Sequence, residues 1–370
     1  MSLCGDVMTG RGVDQILPYP GDARLWESYL RDARAYVRLA EEAHGPIPRP
    51  VDFSWPWGAA LTTLDRVAPD VRLANLETSI TRGIDIAPGK AVHYRMNPKN
   101  LPCLTEARLD ACVLANNHVL DFGRQGLTDT LDTLRSAGIQ TVGAGRDAAE
   151  AARPAVISPA GGDGRVRVVV FAFATGSSGV PDDWAAAPDT PGIDLLPDLT
   201  ERTAARVAER VREWKHPGDI VVASLHWGSN WGYGVSADQV GFAHRLVEDG
   251  VDLVFGHSSH HPRPIEVHHG RLILYGCGDF IDDYEGISGH EHYRDDLRLL
   301  WFPSVDPVSG RLTALRIAPL RARRMRLGPA PPEDVEWLRN VLNEISHRFG
   351  ARIESAPGGM LALRAATSAA

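Results

Sequence analysis

The chain has 370 residues, 44% of them hydrophobic and 23% charged, with a formal net charge of −8. This is the balance of an ordinary globular protein long enough for a large core, and its acidity argues against a nucleic-acid partner, whose phosphates require a basic surface. A small anionic substrate stays open, because it needs only local Arg or Lys.

Residues 1–4 read as a short strand that runs into Gly5-Asp6-Val7-Met8. Leu25, Tyr29, Leu30, Tyr36, Val37 and Ala40 carry helical spacing over 22–44. The run Pro46-Ile47-Pro48-Arg49-Pro50 ends that helix, and another is expected near 58–67. From there strands and helices alternate. An expected strand over 71–74 leads to Asn75-Leu76-Glu77-Thr78. A second, over 111–115, leads to Asn116-Asn117-His118-Val119-Leu120-Asp121 and a helix over 124–137. Residues 141–143 are short and extended, and 166–174 form an apolar run. A helix over 198–214 precedes a strand over 219–224 and His226-Trp227-Gly228. A helix over 237–248 precedes a strand over 251–255 and Gly256-His257. Residues 272–275 end at Gly276-Cys277-Gly278-Asp279-Phe280. A last amphipathic helix spans 333–349.

Strands alternating with helices imply an α/β layered fold, and no 20–50-residue period indicates a repeat array. The expected organisation is one domain over 1–350, a helical insertion over about 14–60, and a disordered tail over 351–370, rich in Ala, Gly and Ser from about 353. Cys4, Cys103, Cys112 and Cys277 form no CxxC pair. Three lie in or beside apolar runs, so buried thiols are expected rather than disulfides or a zinc–thiolate site. With no leader-like start and no membrane-spanning apolar run, the chain reads as cytoplasmic without a membrane segment.

Six polar groups follow strand-like runs: Asp6, Glu77, Asn117, His226, His257 and His260. Strand ends are where α/β sheets converge on a site. Two carboxylates, one amide and three imidazoles suit Mn, Zn or Fe better than Ca or Mg. Each piece alone is weak. Asp6 would otherwise cap a turn, Asn117 would be a plain turn residue, and His226 would pack beside Trp227. Gly256-His257-Ser258-Ser259-His260 is stronger, because two imidazoles leave one turn together. Two metals about 3.5–4 Å apart could share a carboxylate, with Glu77 as the bridge, and hold a hydroxide as nucleophile.

Gly-Asp-Val-Met, Asn-Leu-Glu-Thr-Ser-Ile-Thr, Asn-Asn-His-x-x-Asp-x-Gly, His-Trp-Gly, Gly-His-x-x-His and Gly-Asp-Phe occur in the order of the CapA family. In this respect the chain resembles capsule and poly-γ-glutamate biosynthesis proteins, which are similar to calcineurin-like metallophosphoesterases. The resemblance spans roughly residues 4–325. It implies a four-layer αββα sandwich. Asp6 would bind a first metal and Glu77 would bridge. Asn117, His226 and His257 would bind a second metal, and His260 would close the first. His118 would be the general acid, oriented by Asp121. Five positions depart from the pattern: Met8 stands for an expected His, Glu77 for Asp, Ser258-Ser259 for His-Pro, and Asp279 for Asn. A mononuclear site at Glu77, Asn117, His226 and His257 therefore stays open beside the dinuclear one.

Arg11, Lys90 and Arg95 are candidates for holding a carboxylate or phosphate, the alternative being structural ion pairs. Trp227, with Trp231 and Tyr233, is expected to wall the substrate pocket, the alternative being a hydrophobic patch or dimer contact. The acidic and His-bearing segment 282–292 reads as a solvated loop, or else a lid or extra metal site. The functional expectation is a metal-dependent hydrolase or acyl-transfer enzyme acting on an amide of γ-glutamyl type or a phosphoester. A polyglutamate- or capsule-assembly component and a non-catalytic binding protein on a degenerate fold are the alternatives. The expected partner is a small anionic or glutamyl-type substrate, and a homo-oligomer is permitted.

Overall fold

The computed structural model describes residues 1–159 and 166–364. Two large sheets pack face to face. Neighbours in the first run Ile353–Ala356, Met360–Leu363, Leu312–Ala322, Leu297–Val305, Ser2–Val7, Arg72–Leu76, Ala111–Val113 and Gln140–Val142. Asp279–Ile281 also pairs with Ser2–Val7, in parallel. The second runs Leu195–Leu196, Val168–Thr175, Ile220–His226, Leu253–His257, Arg271–Leu274 and Ile265–His268, with Ala155–Ile157 alongside Val168–Thr175.

The side-chain period of two explains the layering. Along Val168–Thr175, residues Val168, Val170, Ala172 and Ala174 join the large core shared with the first sheet. The intervening Val169, Phe171 and Phe173 pack with Val207 and Val211 of helix Glu201–Trp214 and Phe242 and Leu246 of helix Ala237–Glu248. A strand covered on both faces reads as an unbroken apolar run, as this one does. Every residue of Ser2–Val7 and Arg72–Leu76 is likewise buried. The second sheet covers one of their faces, and helices including Arg34–His44, Ala59–Val67 and Gly123–Ser136 supply the remaining cover. The architecture is the expected four-layer α/β sandwich.

Two expectations change. The helix expected over 22–44 begins only at Arg34. Upstream, Arg24 bridges to Asp32, and the Asp32 carboxylate accepts from the Arg34 amide at 2.9 Å, the kind of local bond that starts a helix rather than continues one. The segment expected to be a disordered tail instead forms a hairpin, Ile353–Ala356 with Met360–Leu363, on the edge of the first sheet. Its apolar residues are few, but Ile353 and Leu361 are buried in the main core. The long strand Leu312–Ala322 offers an unpaired edge for them to add to. Residues 365–370 lie outside the described residues. All four cysteines are buried free thiols.

Candidate metal centre

Parallel pairing brings strand C-termini together. Val7 lies opposite Leu76, Asn75 opposite Val113, and Asp6 opposite Asp279 in the first sheet. In the second, His226 lies opposite His257. The residues just beyond these ends therefore meet across the two sheets, where the Ser258 amide donates to Asp6 Oδ2 at 3.2 Å. Ser258 adopts φ 97°, a strained value for a residue with a Cβ, and so aims that amide at the carboxylate.

Six expected ligands gather here. Asp6, His226 and His257 each offer a ligand atom within 4.8 Å of the others, and so do Asp6, His260 and Asp279. Asp6 is common to both groups. Glu77, the expected bridge, stands to one side: its Oε1 lies 3.9 Å from His226 Nε2 and 3.8 Å from His118 Nε2. Asn117 Oδ1 is 3.0 Å from His226 Nε2. Ser224, His257, His226 and Asn117 form one polar chain, with Ser224 Oγ 2.6 Å from His257 Nε2 and the two Nδ1 atoms 2.8 Å apart. Met8, where an imidazole was expected, is buried, with Tyr284 Oη 3.7 Å from its sulfur.

The electrostatics suit a cation. Burial, and next the Asp279 carboxylate, push Asp6 up to about 7. Burial and Asp6 raise Glu77 well above the usual carboxylate range. Asp279 Oδ2 is buried with no hydrogen-bond partner among the described residues. Its other oxygen accepts from His260 Nδ1 at 2.9 Å. Burial lowers His260, but the carboxylate of Asp279 more than restores it, so its pKa is raised. Three buried carboxylates with an orphaned oxygen make a cavity that a divalent ion would neutralise. The donor set mixes carboxylate oxygens with imidazole nitrogens, a combination that sites for divalent metal ions use.

Beside this centre lies a second unit. His118 Nδ1 donates to Asp121 Oδ2 at 2.6 Å, because a carboxylate can only accept. Lys90 Nζ pairs with Asp121 Oδ1 at 2.6 Å and donates to the Asn117 carbonyl. Burial opposes charge on Asp121, yet His118 and Lys90 hold its pKa below the usual value. Burial pushes His118 down to about 4, so at neutral pH it is an uncharged imidazole with a free Nε2 toward Glu77.

Three expected substrate contributors are engaged in structural contacts. Arg11 is buried, with both Nε and Nη2 on Asp283 and Nη1 on Glu27 and Tyr36; its planar fork is used up in structural pairs. Arg95 donates to the carbonyls of Gly83 and Asp22 and so ties loops. Trp227 is fully buried, donates to the Tyr275 carbonyl at 3.0 Å and belongs to the second core, so it walls no pocket. The cleft beside His260, of about 160 Å³, is lined by Arg11, Trp231, Tyr94, Tyr284 and His290. Segment 282–292 is not fully solvated: Asp283 pairs with Arg11, Asp282 with Arg298, and His290 stacks on Trp231 at 3.8 Å.

Three contributors were missed. Asp279 was marked only as a departure from the family pattern, yet its register opposite Asp6 puts it in the centre. Asn75 donates to Asp6 Oδ1 at 2.7 Å and Glu77 Oε2 at 3.1 Å, holding both acids. Asn116 accepts from the amides of His118 and Val119, each at 3.1 Å, and donates to Asn75 and the Leu76 carbonyl. The doubled Asn before His118 was its signal, since Asn side chains organise such turns.

Comparison with known proteins agrees with the motif order. The family model described as "Bacterial capsule synthesis protein PGA_cap" matches residues 1–284. A probable polyglutamine synthesis accessory protein of Mycobacterium tuberculosis (strain CDC 1551 / Oshkosh) is 56% identical over 360 residues, 97% of this chain and 94% of that protein. The PGA biosynthesis protein CapA of Bacillus subtilis (strain 168) is 26% identical over 282 residues, 76% of this chain and 63% of its own length. The capsule biosynthesis protein CapA of Bacillus anthracis is 24% identical over 284 residues, 76% of this chain and 59% of its own. With these relatives and that match, the chain belongs to the bacterial capsule synthesis family of CapA proteins.

Proposed function

We propose that the chain is a metal-dependent hydrolase or acyl-transfer enzyme, cutting or exchanging an amide of γ-glutamyl type. The observation that carries this reading is that Asp6 belongs at once to the Asp6–His226–His257 and Asp6–His260–Asp279 donor groups. One carboxylate between two donor groups is the arrangement a two-cation centre uses. Asn117 would complete the first group and Glu77 would stand beside both. When bound, such cations polarise the scissile group and acidify water.

The chain's own residues supply the proton handling. His118 keeps its Nδ1 proton toward Asp121 and leaves Nε2 free to take a proton and pass it to the leaving group. Lys90 neutralises Asp121, and Asn116 fixes the backbone beneath the ring. Trp231, Tyr94 and Tyr284 line the adjoining cleft and would shield the reacting groups from bulk water. The glutamyl preference rests on a relative named for polyglutamine synthesis and on the family resemblance, and a phosphoester is the second substrate class.

The test is elemental analysis of protein purified without chelator, followed by a screen of γ-glutamyl amides and phosphoesters. Near-stoichiometric Mn, Fe or Zn, lost in Asp6→Asn, with turnover sharply lowered in His118→Ala, is the expected result. Retained turnover in both Asn117→Ala and His226→Ala would sink the catalytic reading and favour a binding role.

A further inference from the structure

A second set of ligating side chains lies far from this centre. Helix Ala237–Glu248 carries His244 and Glu248 one turn apart on the same face. Strand Ile265–His268 carries Glu266 and His268, two residues apart and hence also on one face. The two faces meet. His244 Nε2 lies 2.8 Å from Glu266 Oε1, and His268 Nε2 lies 3.3 Å from Glu248 Oε1. The two imidazoles stack at 3.7 Å with planes 2° apart. The ligand atoms of His244, Glu266 and His268 all fall within 4.8 Å of one another.

We infer that His244, Glu266 and His268 form a separate site for a borderline divalent cation of the zinc class, with Glu248 beside His268 at its edge. Two imidazoles and one carboxylate are a known zinc set, the fourth position being left to water. Ligands about 2.0–2.1 Å from zinc stand about 3.4 Å from each other. The His244–Glu266 spacing of 2.8 Å lies a little under that value and the group's atoms fall within 4.8 Å, so small side-chain rotations bring the donors to ligand spacing. Glu266 is the anchored member: it is buried, and its other oxygen accepts from Tyr275 at 2.7 Å. Placement at the end of a twelve-residue helix adds a second attraction, because the helix carries partial negative charge at its C-terminus. An ordinary surface ion pair would need one His and one acid, whereas here three donors converge from two elements.

The site is not an extension of the centre described above. Register places Phe255 beside Leu274 beside Ile265, and His268 opposite Arg271. His268 thus lies level with residue 252, five residues before His257, or about 16 Å along the strand. A cation here would tie the helix end to the Ile265–His268 and Arg271–Leu274 hairpin, and binding only to the folded chain would raise its thermal midpoint.

Zinc titration of the full chain after chelator treatment tests this, by calorimetry with circular dichroism as the check on folding. The expected result is an equivalent that persists in His226→Ala, disappears in His268→Asn and in His244→Asn, and, in the His226→Ala background, raises the midpoint only where those histidines are present. Zinc stoichiometry, affinity and midpoint shift unchanged in folded His268→Asn and His244→Asn would overturn the inference. So would loss of all zinc binding in His226→Ala.

Discussion

Asp6 and Asp279 stand in register on adjacent parallel strands, both buried, with His260 hydrogen-bonded to Asp279 and the Ser258 amide to Asp6. Two acids so placed repel each other in a low-dielectric interior, and that repulsion, added to burial, raises Asp6 to about 7. A divalent cation would remove the conflict. The Asp6→Asn variant is therefore expected to lose metal from both donor groups. Elemental analysis should give a larger fall in metal content than for Glu77→Gln.

Metal affinity should follow the same acid. Asp6 protonates near pH 7, so cation binding must displace a proton below that pH. Its raised pKa makes its contribution to the stability of chelator-treated protein greatest below about pH 4 and lost as pH rises through about 7. Added metal should then stabilise the protein more at pH 8 than at pH 5. Thermal midpoints with and without metal at the two pH values check this, and a constant metal effect would contradict it.

Buried neutral histidines act in the opposite sense. Desolvation lowers His257 to about 3 and His118 to about 4. Groups depressed in the folded state stabilise it above their unfolded value, near 6.5, and that contribution is lost as pH falls toward 3–4. His257→Asn should flatten the acid limb of a midpoint-versus-pH curve in the chelated protein. An unchanged limb would assign acid sensitivity to other groups.

His118→Ala should lower kcat by about 10²–10⁴ while leaving metal content unchanged, the loss typical of a positioned proton-transfer group. Lys90→Met should lower kcat less, because it acts through Asp121 rather than on the substrate. Steady-state kinetics on whichever substrate the screen yields separates the two.

Trp227 and Trp231 should behave differently despite their spacing. Trp227→Ala removes a fully buried ring from the second core and should cost about 3–5 kcal/mol in denaturant unfolding. Trp231→Ala should leave stability within about 1 kcal/mol and raise KM, since the ring lines the cleft beside His260. The reverse pattern would restore Trp227 as a pocket wall.

Much of this fold is written in local pattern. Apolar runs followed by polar strand ends marked where the parallel strands stop, and helical spacing marked Ala237–Glu248 and Glu201–Trp214 closely. Strand ends also delivered Asp6, Glu77, Asn117, His226, His257 and His260, because chemistry at a sheet edge is carried by residues that break the apolar run. The antiparallel pair Leu297–Val305 and Leu312–Ala322 was not foreseen, and neither was the C-terminal hairpin that extends its sheet. Edge pairing depends on a distant partner strand rather than on local propensity.

What the sequence determined by itself was the set of groups able to hold a cation and the layered α/β class that gathers them. What only tertiary structure decided was their assignment. Asp279 entered the centre through its register with Asp6, and Asp6 lies in both donor groups while Glu77 Oε1 lies 3.9 Å from His226 Nε2. Arg11 was withdrawn into a pair with Asp283, a partner 272 residues away. These choices turn on distances of a few ångströms between segments remote in the chain. Coulombic and hydrogen-bond energies depend steeply on such distances, and one-dimensional spacing carries no record of them.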